Sequence, residues 1–291
     1  MNELIAISRS GALEKRDFDK SPVPLAIYPD LTKRKGTIFL VNKHIDLEIL
    51  FFTNGKLKIH LDNDTFVAGA GDIVVVNPDV LHNIIPLTES VTYDCIVIER
   101  AFLENQGLSL KSMHIKEIIK DQSAFQFITN IKDTLMVNNQ GYYVAKINKY
   151  LIELTVFLLE NHARYKDTPS NTDNGLVAVE NSIKYINKHL SEQFSLDDIA
   201  EYVGYSKFYF CRQFKTTTGY TLATYVNMQR IKYAHTLLTE GEENVSEVAA
   251  KCGFKSVSYF STTYKKYVGY NPSTKKGMQK NSRSQKGIDY T

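Results

Sequence analysis

Apolar residues fall in short runs over the first hundred positions and at helical spacing beyond them. Residues 57–61, Leu-Lys-Ile-His-Leu, alternate strictly, as a strand with one wet face does, and that pattern turns His60 to solvent. With it, residues 23–28, 36–41, 45–52, 57–62, 72–76 and 91–99 form runs rich in Val, Ile and Phe that predict strands. Asn54-Gly55, Asp62-Asn63 and Asn77-Pro78 are the turn signals between them. Short strands about 8–12 residues apart, with no helix between, predict a sandwich or barrel.

The period then changes. Tyr143, Ile147, Tyr150, Leu151, Leu154, Phe157, Leu158 and Leu159 make one apolar stripe, which predicts a helix over residues 142–162. The stripe suits either a dimer seam or a cover for the barrel. A weaker helix is expected over residues 125–136. Residues 166–175 are polar, contain Pro169 and Gly175 and have no period, which reads as an interdomain linker. The basic, polar stretch after Gly277 is expected to be disordered.

Between these two stretches the chain repeats itself. Tyr209-Phe210, Phe214-Lys215 and Gly219-Tyr220 recur fifty residues on as Tyr259-Phe260, Tyr264-Lys265 and Gly269-Tyr270. Ile199-Ala200 with Gly204-Tyr205 recurs forty-nine residues on as Val248-Ala249 with Gly253-Phe254. So many matches in one register mark an internal duplication. Each copy reads as helix, glycine turn, helix. Ser195 caps the first helix, with Asp197 and Asp198 in its first turn, and Leu196, Ile199, Ala200 and Val203 form its inner face. Ser206 caps the next, whose Tyr209, Phe210 and Phe214 are expected to point inward. That leaves Ser206, Lys207, Phe208, Cys211, Arg212 and Lys215 on the face that a recognition helix offers to DNA. In the second copy Ser246 is the expected cap, Gly253 turns, and Ser256, Val257, Ser258, Ser261, Thr262 and Lys265 are the corresponding outward positions. Residues 221–238 are expected to form a linker helix about 27 Å long between the readers, which suits successive major grooves.

Charge sharpens the division. The chain carries 35 Lys+Arg and 32 Asp+Glu, a net +3 over 291 residues, a length that suggests about two domains. Residues 175–291 hold 16 basic and 10 acidic side chains, against 19 and 22 in residues 1–174. A polyanion partner is therefore expected for the C-terminal part alone. Met1-Asn2-Glu3-Leu4 lacks the basic start of a secretory signal, and the apolar run 151–159, broken by Glu153, is too short to span a bilayer. Cys95, Cys211 and Cys252 form no CxxC pair and are expected to be reduced thiols. A cytoplasmic protein without a membrane partner is expected. No nucleophile elbow, Gly-rich phosphate loop or cysteine zinc pair is present in the sequence, so no catalytic residues and no enzyme activity are assigned.

Residues 175–277 resemble the DNA-binding domain of the AraC/XylS family of bacterial transcription regulators. The resemblance is carried by Ser195-Leu196-x-x-Ile199-Ala200, Gly204-Tyr205-Ser206, Arg230-x-x-x-Ala234-x-x-Leu237-Leu238, Val245-x-x-Val248-Ala249, Gly253-Phe254, Ser258-Tyr259-Phe260, Tyr264-Lys265-Lys266 and Gly269-x-x-Pro272. Thr262 departs from it, standing where the family often has Arg, as does Thr274-Lys275 in place of Tyr-Arg. In the β half, His44-x-x-x-Glu48, Gly55, Gly71-Asp72 and His82 resemble the two cupin motifs. Asn42 stands where metal-binding cupins carry a further His, and Pro86 where an Asn is usual. The remaining His44, Glu48 and His82 are assigned to ligand binding, with no metal and no cofactor assigned.

The resemblance implies an α+β chain: an N-terminal cupin-like β-barrel with following helices, then an all-α domain of two helix-turn-helix units joined by a linker helix. The expected bounds are 1–105 for the effector-binding barrel and 106–165 for a helical dimerisation or support segment. The linker is expected at 166–175, the DNA-binding domain at 176–277 and a basic tail at 278–291. The implied function is a sequence-specific transcription regulator, an activator more than a repressor. Its implied partners are double-stranded DNA, a small-molecule effector such as a sugar, RNA polymerase and a second copy of the chain. A ligand-independent regulator whose barrel only dimerises is the alternative, with a metal-dependent cupin enzyme behind it.

Overall fold

The computed structural model describes residues 23–35, 41–136, 141–166, 174–240 and 243–274. Most of the expected strand at 36–41, most of the linker at 166–175 and the tail after Gly277 lie outside the described residues. The chain divides into two compact units, one built on the β-rich segments and one on the helices from Asn174 onward.

In the first unit, β1 (Leu25–Arg34), β2 (Leu47–Asn54), β3 (Lys56–Leu61), β4 (Asp64–Gly69), β5 (Ile73–Val76), β6 (His82–Pro86) and β7 (Ser90–Ile98) form antiparallel ladders. A helix α1 (Arg100–Asn105), short strands β8 (Met113–Ile115) and β9 (Ile118–Ile119), helices α2 (Phe125–Met136) and α3 (Tyr143–His162), and β10 (Ala163–Tyr165) follow. One sheet has the order β1-β7-β2-β5-β9, a second β4-β3-β6, and β10 pairs β8. Gly55, at φ +82°, makes the tight turn between β2 and β3 that Asn54-Gly55 announced.

Alternation along β2 divides its side chains between two environments. Leu47, Ile49 and Phe51 join Ile73, Val75, Ile96 and Ile98 in a core that also contains Ile128 and Ile131 of α2 and Ile147, Leu151, Leu154 and Leu158 of α3. The inner part of the α3 stripe therefore covers the barrel. Glu48 points the other way and meets His82 of the second sheet.

Five strands were not foreseen: β4, β6 and the two- or three-residue β8, β9 and β10. β4 is mostly exposed, so its sequence carries no buried run, and β6 is short and holds His82, Asn83 and Pro86. His60 is a correction. It is 6% exposed, opposite Thr65 of β4 and Asn83 of β6, and its Nδ1 lies 3.2 Å from the Thr65 hydroxyl. Neighbouring strands on both sides screen a position that alternation alone turned to water.

In the second unit, α4 (Asn174–Lys188) precedes α5 (Leu196–Tyr202), α6 (Lys207–Thr218), α7 (Leu222–Glu240), α8 (Val245–Lys251) and α9 (Val257–Val268). Gly175 is the second residue of α4 and buried, so the polar stretch before it ends earlier than its composition suggested. Ser195 and Asp198 form a reciprocal capping box on α5, and the backbone and hydroxyl of Ser195 hold the Asp198 carboxyl below its usual range. On α8 the cap is Asn244, which pairs with Glu247; Ser246 is the second helical residue, a correction by two positions. Phe210, Phe214 and Tyr225 are buried, as are Phe260 and Tyr264 beside Ile231, Ala234, Leu238, Val248 and Ala249. Tyr209 is a further correction: it is 39% exposed and stacks on Tyr205, because the inner face of α6 runs through Phe210 and Phe214 four residues apart.

The two turn glycines make a paired prediction. Gly204 (φ +77°) has open space where a Cβ would stand, whereas at Gly253 (φ +73°) it would lie 2.6 Å from the Leu190 carbonyl and 2.9 Å from the Arg230 guanidinium. Gly204→Ala should cost the left-handed strain alone, about 1–2 kcal/mol. Gly253→Ala adds crowding against backbone and should cost about 3 kcal/mol. Urea unfolding of the two variants checks the order.

Candidate nucleic-acid interface and effector site

Each copy of the repeat sets a capped helix after a glycine turn. The Ser206 hydroxyl accepts from the Tyr209 N–H at 3.4 Å, and Ser256 does the same for Tyr259 at 3.3 Å. Lys207, Phe208, Arg212 and Lys215 on α6 are exposed, and so are Val257, Ser258, Thr262 and Lys265 on α9. Cys211 and Ser261, fifty residues apart, are both half-buried. Phe208 is 79% exposed, the largest exposure among the apolar side chains described.

The polar members are differently engaged. Lys207 Nζ donates to Asp197 Oδ2 at 2.7 Å, which raises its pKa, while the Arg212 guanidinium lies 5.8 Å from the centre of the Tyr209 ring. The Thr262 hydroxyl donates to the Ser258 carbonyl of its own helix. Burial pushes the Cys211 thiol up, and Lys207 is the cation pulling it back. Residues 175–274 hold eleven basic and nine acidic side chains, and residues 275–291 five and one. The basic excess of the C-terminal part therefore lies mostly beyond α9, and the charge on the readers is local.

Arg230, quoted above only as part of a motif, ties the two copies together. Arg230 of α7 donates from Nε to the Leu190 carbonyl (3.1 Å) and from Nη2 to the Glu192 carbonyl (2.8 Å). Its guanidinium lies 5.1 Å from the Phe194 ring centre and 6.0 Å from that of Phe254, and burial pulls its pKa down. Gln193 Nε2 donates to the Gly253 carbonyl at 2.8 Å. The signal was available: Arg230 is a charged residue on the stripe of Val226, Ala234 and Leu237.

In the barrel the structure brings His44, Glu48 and His82 together, all buried, with one donor atom from each lying within 4.8 Å of the others. His44 Nε2 is 2.6 Å and His82 Nε2 3.6 Å from the same carboxylate oxygen, Glu48 Oε2. The two rings meet edge to face at 4.9 Å. Each Nδ1 lies 3.0 Å from a backbone carbonyl, that of Asp46 for His44 and that of Val80 for His82. Cys95 Sγ donates to Glu48 Oε1 at 3.3 Å. Tyr93, two residues away on β7, has its phenol pKa pushed well up by burial and then by the charges of Cys95 and Glu48. Cys95 and Tyr93 were not foreseen, although alternation along β7 puts them on one face.

Residues 199–277 match a helix-turn-helix domain, and residues 34–152 an AraC-like ligand-binding domain. The chain is 30% identical over 122 residues to the transposon Tn10 TetD protein of Escherichia coli, covering 40% of this chain and 88% of TetD. It is 22% identical over 236 residues to an HTH-type transcriptional regulator of Staphylococcus aureus strain MRSA252, covering 79% of this chain and 31% of that protein. The chain thus spans about a third of the length of the staphylococcal relatives it matches. Among solved structures, a variant of apo ToxT from Vibrio cholerae is similar with 17% identity and a TM-score of 0.43, over 87% of this chain and 96% of that one. No described helix is long and apolar enough to cross a membrane. With both domains matched and most of TetD covered at 30% identity, the chain belongs to the AraC/XylS family of transcription regulators.

Proposed function

We propose that the chain is a sequence-specific regulator that binds double-stranded DNA through α6 and α9 and answers to an effector bound in its N-terminal barrel. The observation that carries this reading is the pair of capped helices after glycine turns, the first showing Phe208 bare beside Arg212 and Lys215. Arg212 is the candidate base reader, since guanidinium pairs with guanine through two hydrogen bonds. Phe208 and Val257 are candidates for thymine methyl groups, and Lys215 and Lys265 for phosphates. Cys211 and Ser261, half-buried, offer the smaller contacts.

The barrel up to residue 105 receives the effector, residues 106–165 support it, and 176–277 read DNA. The regulator acts in the cytoplasm as an activator and a homodimer in contact with RNA polymerase. Its effector is rich in oxygen donors, as a sugar is, and is gripped by His44, Glu48 and His82.

Mobility shift of the full chain on DNA from its own promoter region tests the reading. Binding should weaken steeply as salt rises, because bound phosphates release counterions. Arg212→Ala should lower the preference for the specific site over random DNA by about 1–3 kcal/mol, whereas Lys215→Ala should weaken both alike. Absence of any shift at low salt overturns the proposal. Equal losses on both DNAs for Arg212→Ala would move that residue to the phosphates.

A further inference from the structure

We propose that the cleft between the two copies of the repeat binds a small aromatic carboxylate, its charge on Arg230 and Lys255 and its ring against Phe254 and Tyr259. The site lies wholly in the second unit and shares no residue with the cluster in the barrel.

The cleft opens between the segment leading into α5, the linker helix α7 and the turn from α8 to α9. It measures about 540 Å³, within the roughly 300–1,000 Å³ usual for small-molecule sites. Phe194, Phe254 and Tyr259 give it three aromatic rings. The Phe254 and Tyr259 rings lie 6.0 Å apart at an interplanar angle of 52°. Asn227 Nδ2 donates to the Tyr259 phenol at 2.9 Å and so holds that exposed ring in place. Rings fixed in this way recognise another flat ring by edge and face. A sugar–phosphate backbone has no aromatic ring to offer them.

Arg230 supplies the first charge. A guanidinium carries five N–H donors. One on Nε and one on Nη2 go to the Leu190 and Glu192 carbonyls, so three remain, two of them on Nη1. Its neighbours are those carbonyl oxygens and the rings of Phe194 and Phe254, all of them neutral. Among the described residues no carboxylate lies within ion-pair distance of it, and the Glu192 carboxylate pairs with His189 at 2.9 Å instead. A half-buried cation without a counter-charge is stabilised by an anion brought to its free donors.

Lys255 supplies the second. Lys207 and Lys251 of the same unit are tied to Asp197 at 2.7 Å and to Glu243 at 2.6 Å. Lys255 is exposed and has no ion pair among the described residues. Of the side chains lining the cleft Asp198 alone is acidic, and its Oδ2 already accepts the Ser195 N–H of the capping box. Two cations against one anion suit a ligand with a single negative charge. A fixed guanidinium beside a flexible ammonium can grip both oxygens of a carboxylate.

The test uses indole-3-acetate as the probe on the full chain. The chain contains no Trp, so indole emission excited beyond the tyrosine band reports the probe alone. One equivalent should bind saturably. Indole-3-acetamide, the same ring without the charge, should bind roughly tenfold more weakly or worse, and Lys255→Gln should weaken indole-3-acetate by a similar factor. Tyr259→Ala should weaken both probes alike, by roughly fivefold. Glu48→Gln, in the barrel, should bind indole-3-acetate as the wild type does, and circular dichroism confirms that each variant is folded. No saturable binding by the wild-type chain, or unchanged affinity in a folded Lys255→Gln variant, overturns the proposal. Loss of binding in Glu48→Gln with Lys255→Gln unaffected places the probe in the barrel and overturns it too. Displacement of the probe by random duplex DNA would assign the cleft to the phosphate backbone, again against the proposal.

Discussion

Phe260→Ala is expected to destabilise the second helical unit by about 3–5 kcal/mol, the usual cost of emptying a buried aromatic site. Phe260 is fully buried in the cluster of Ile231, Ala234, Leu238, Val248 and Tyr264, and its ring lies 5.1 Å from Phe254 and 5.7 Å from Tyr264. These neighbours belong to α7, α8 and α9 and the turn between the last two, so the cavity would open at the junction of the whole second copy. The informative contrast is Phe208→Ala. Because Phe208 is 79% exposed, its removal should change stability by no more than about 0.5 kcal/mol. It should nonetheless weaken DNA binding, if the bare ring meets bases. Urea unfolding and mobility shift on the two variants should therefore give opposite patterns. A Phe208→Ala chain that binds DNA as well as wild type would remove Phe208 from the interface.

The second large effect is expected at Lys132. Its Nζ on α2 lies 3.0 and 3.1 Å from the two carboxylate oxygens of Asp94 on β7, and 3.6 Å from Asp30. Asp94 is 7% exposed in its side chain and also accepts the Asp30 N–H at 2.8 Å. Lys132→Met would leave that carboxylate buried without its cation, at a cost of about 3–5 kcal/mol. Lys132→Met combined with Asp94→Asn should recover part of the loss, since the amide oxygen still accepts from Asp30. The pH dependence has a defined sign. Burial pulls the lysine pKa down, but the hydrogen bonds and charge of Asp94, then of Asp30, outweigh it and leave it raised. A raised folded-state pKa contributes stability that is fully present below the unfolded value and is lost as pH rises through the folded one. The gap between wild type and Lys132→Met should thus stay flat from neutral pH to about 10 and narrow above it.

The helices were legible because their signals are local. Period, capping serine and turn glycine all lie within a few residues, and α2, α3, α5, α6, α7 and α9 are where those signals put them, to within a residue or two. Asn244 was missed at the start of α8 because Ser246, two residues later, offers the same cap chemistry. In the barrel, distance along the chain defeats local signals. β4 and β6 take their places by pairing with β3, and His60 is screened by partners that no window around it contains. The motif spacing brought His44, Glu48 and His82 to attention one by one. That two rings converge on a single oxygen follows only from the meeting of β2 and β6 across the barrel.

Arg230 has a consequence for the geometry of the operator. It fastens the segment before the first reader, through the Leu190 and Glu192 carbonyls, to a helix packed against the second, and Gln193 reaches the Gly253 carbonyl beside it. A tie of this kind leaves little slack between the readers. On DNA, one base pair inserted between two half-sites moves the second by about 3.4 Å and turns it by roughly 35° around the axis. A loosely strung pair of readers would follow such a shift at small cost. This pair would instead have to break its own clasp or bend the duplex, so the proposed operator should tolerate changes of base more readily than changes of phase.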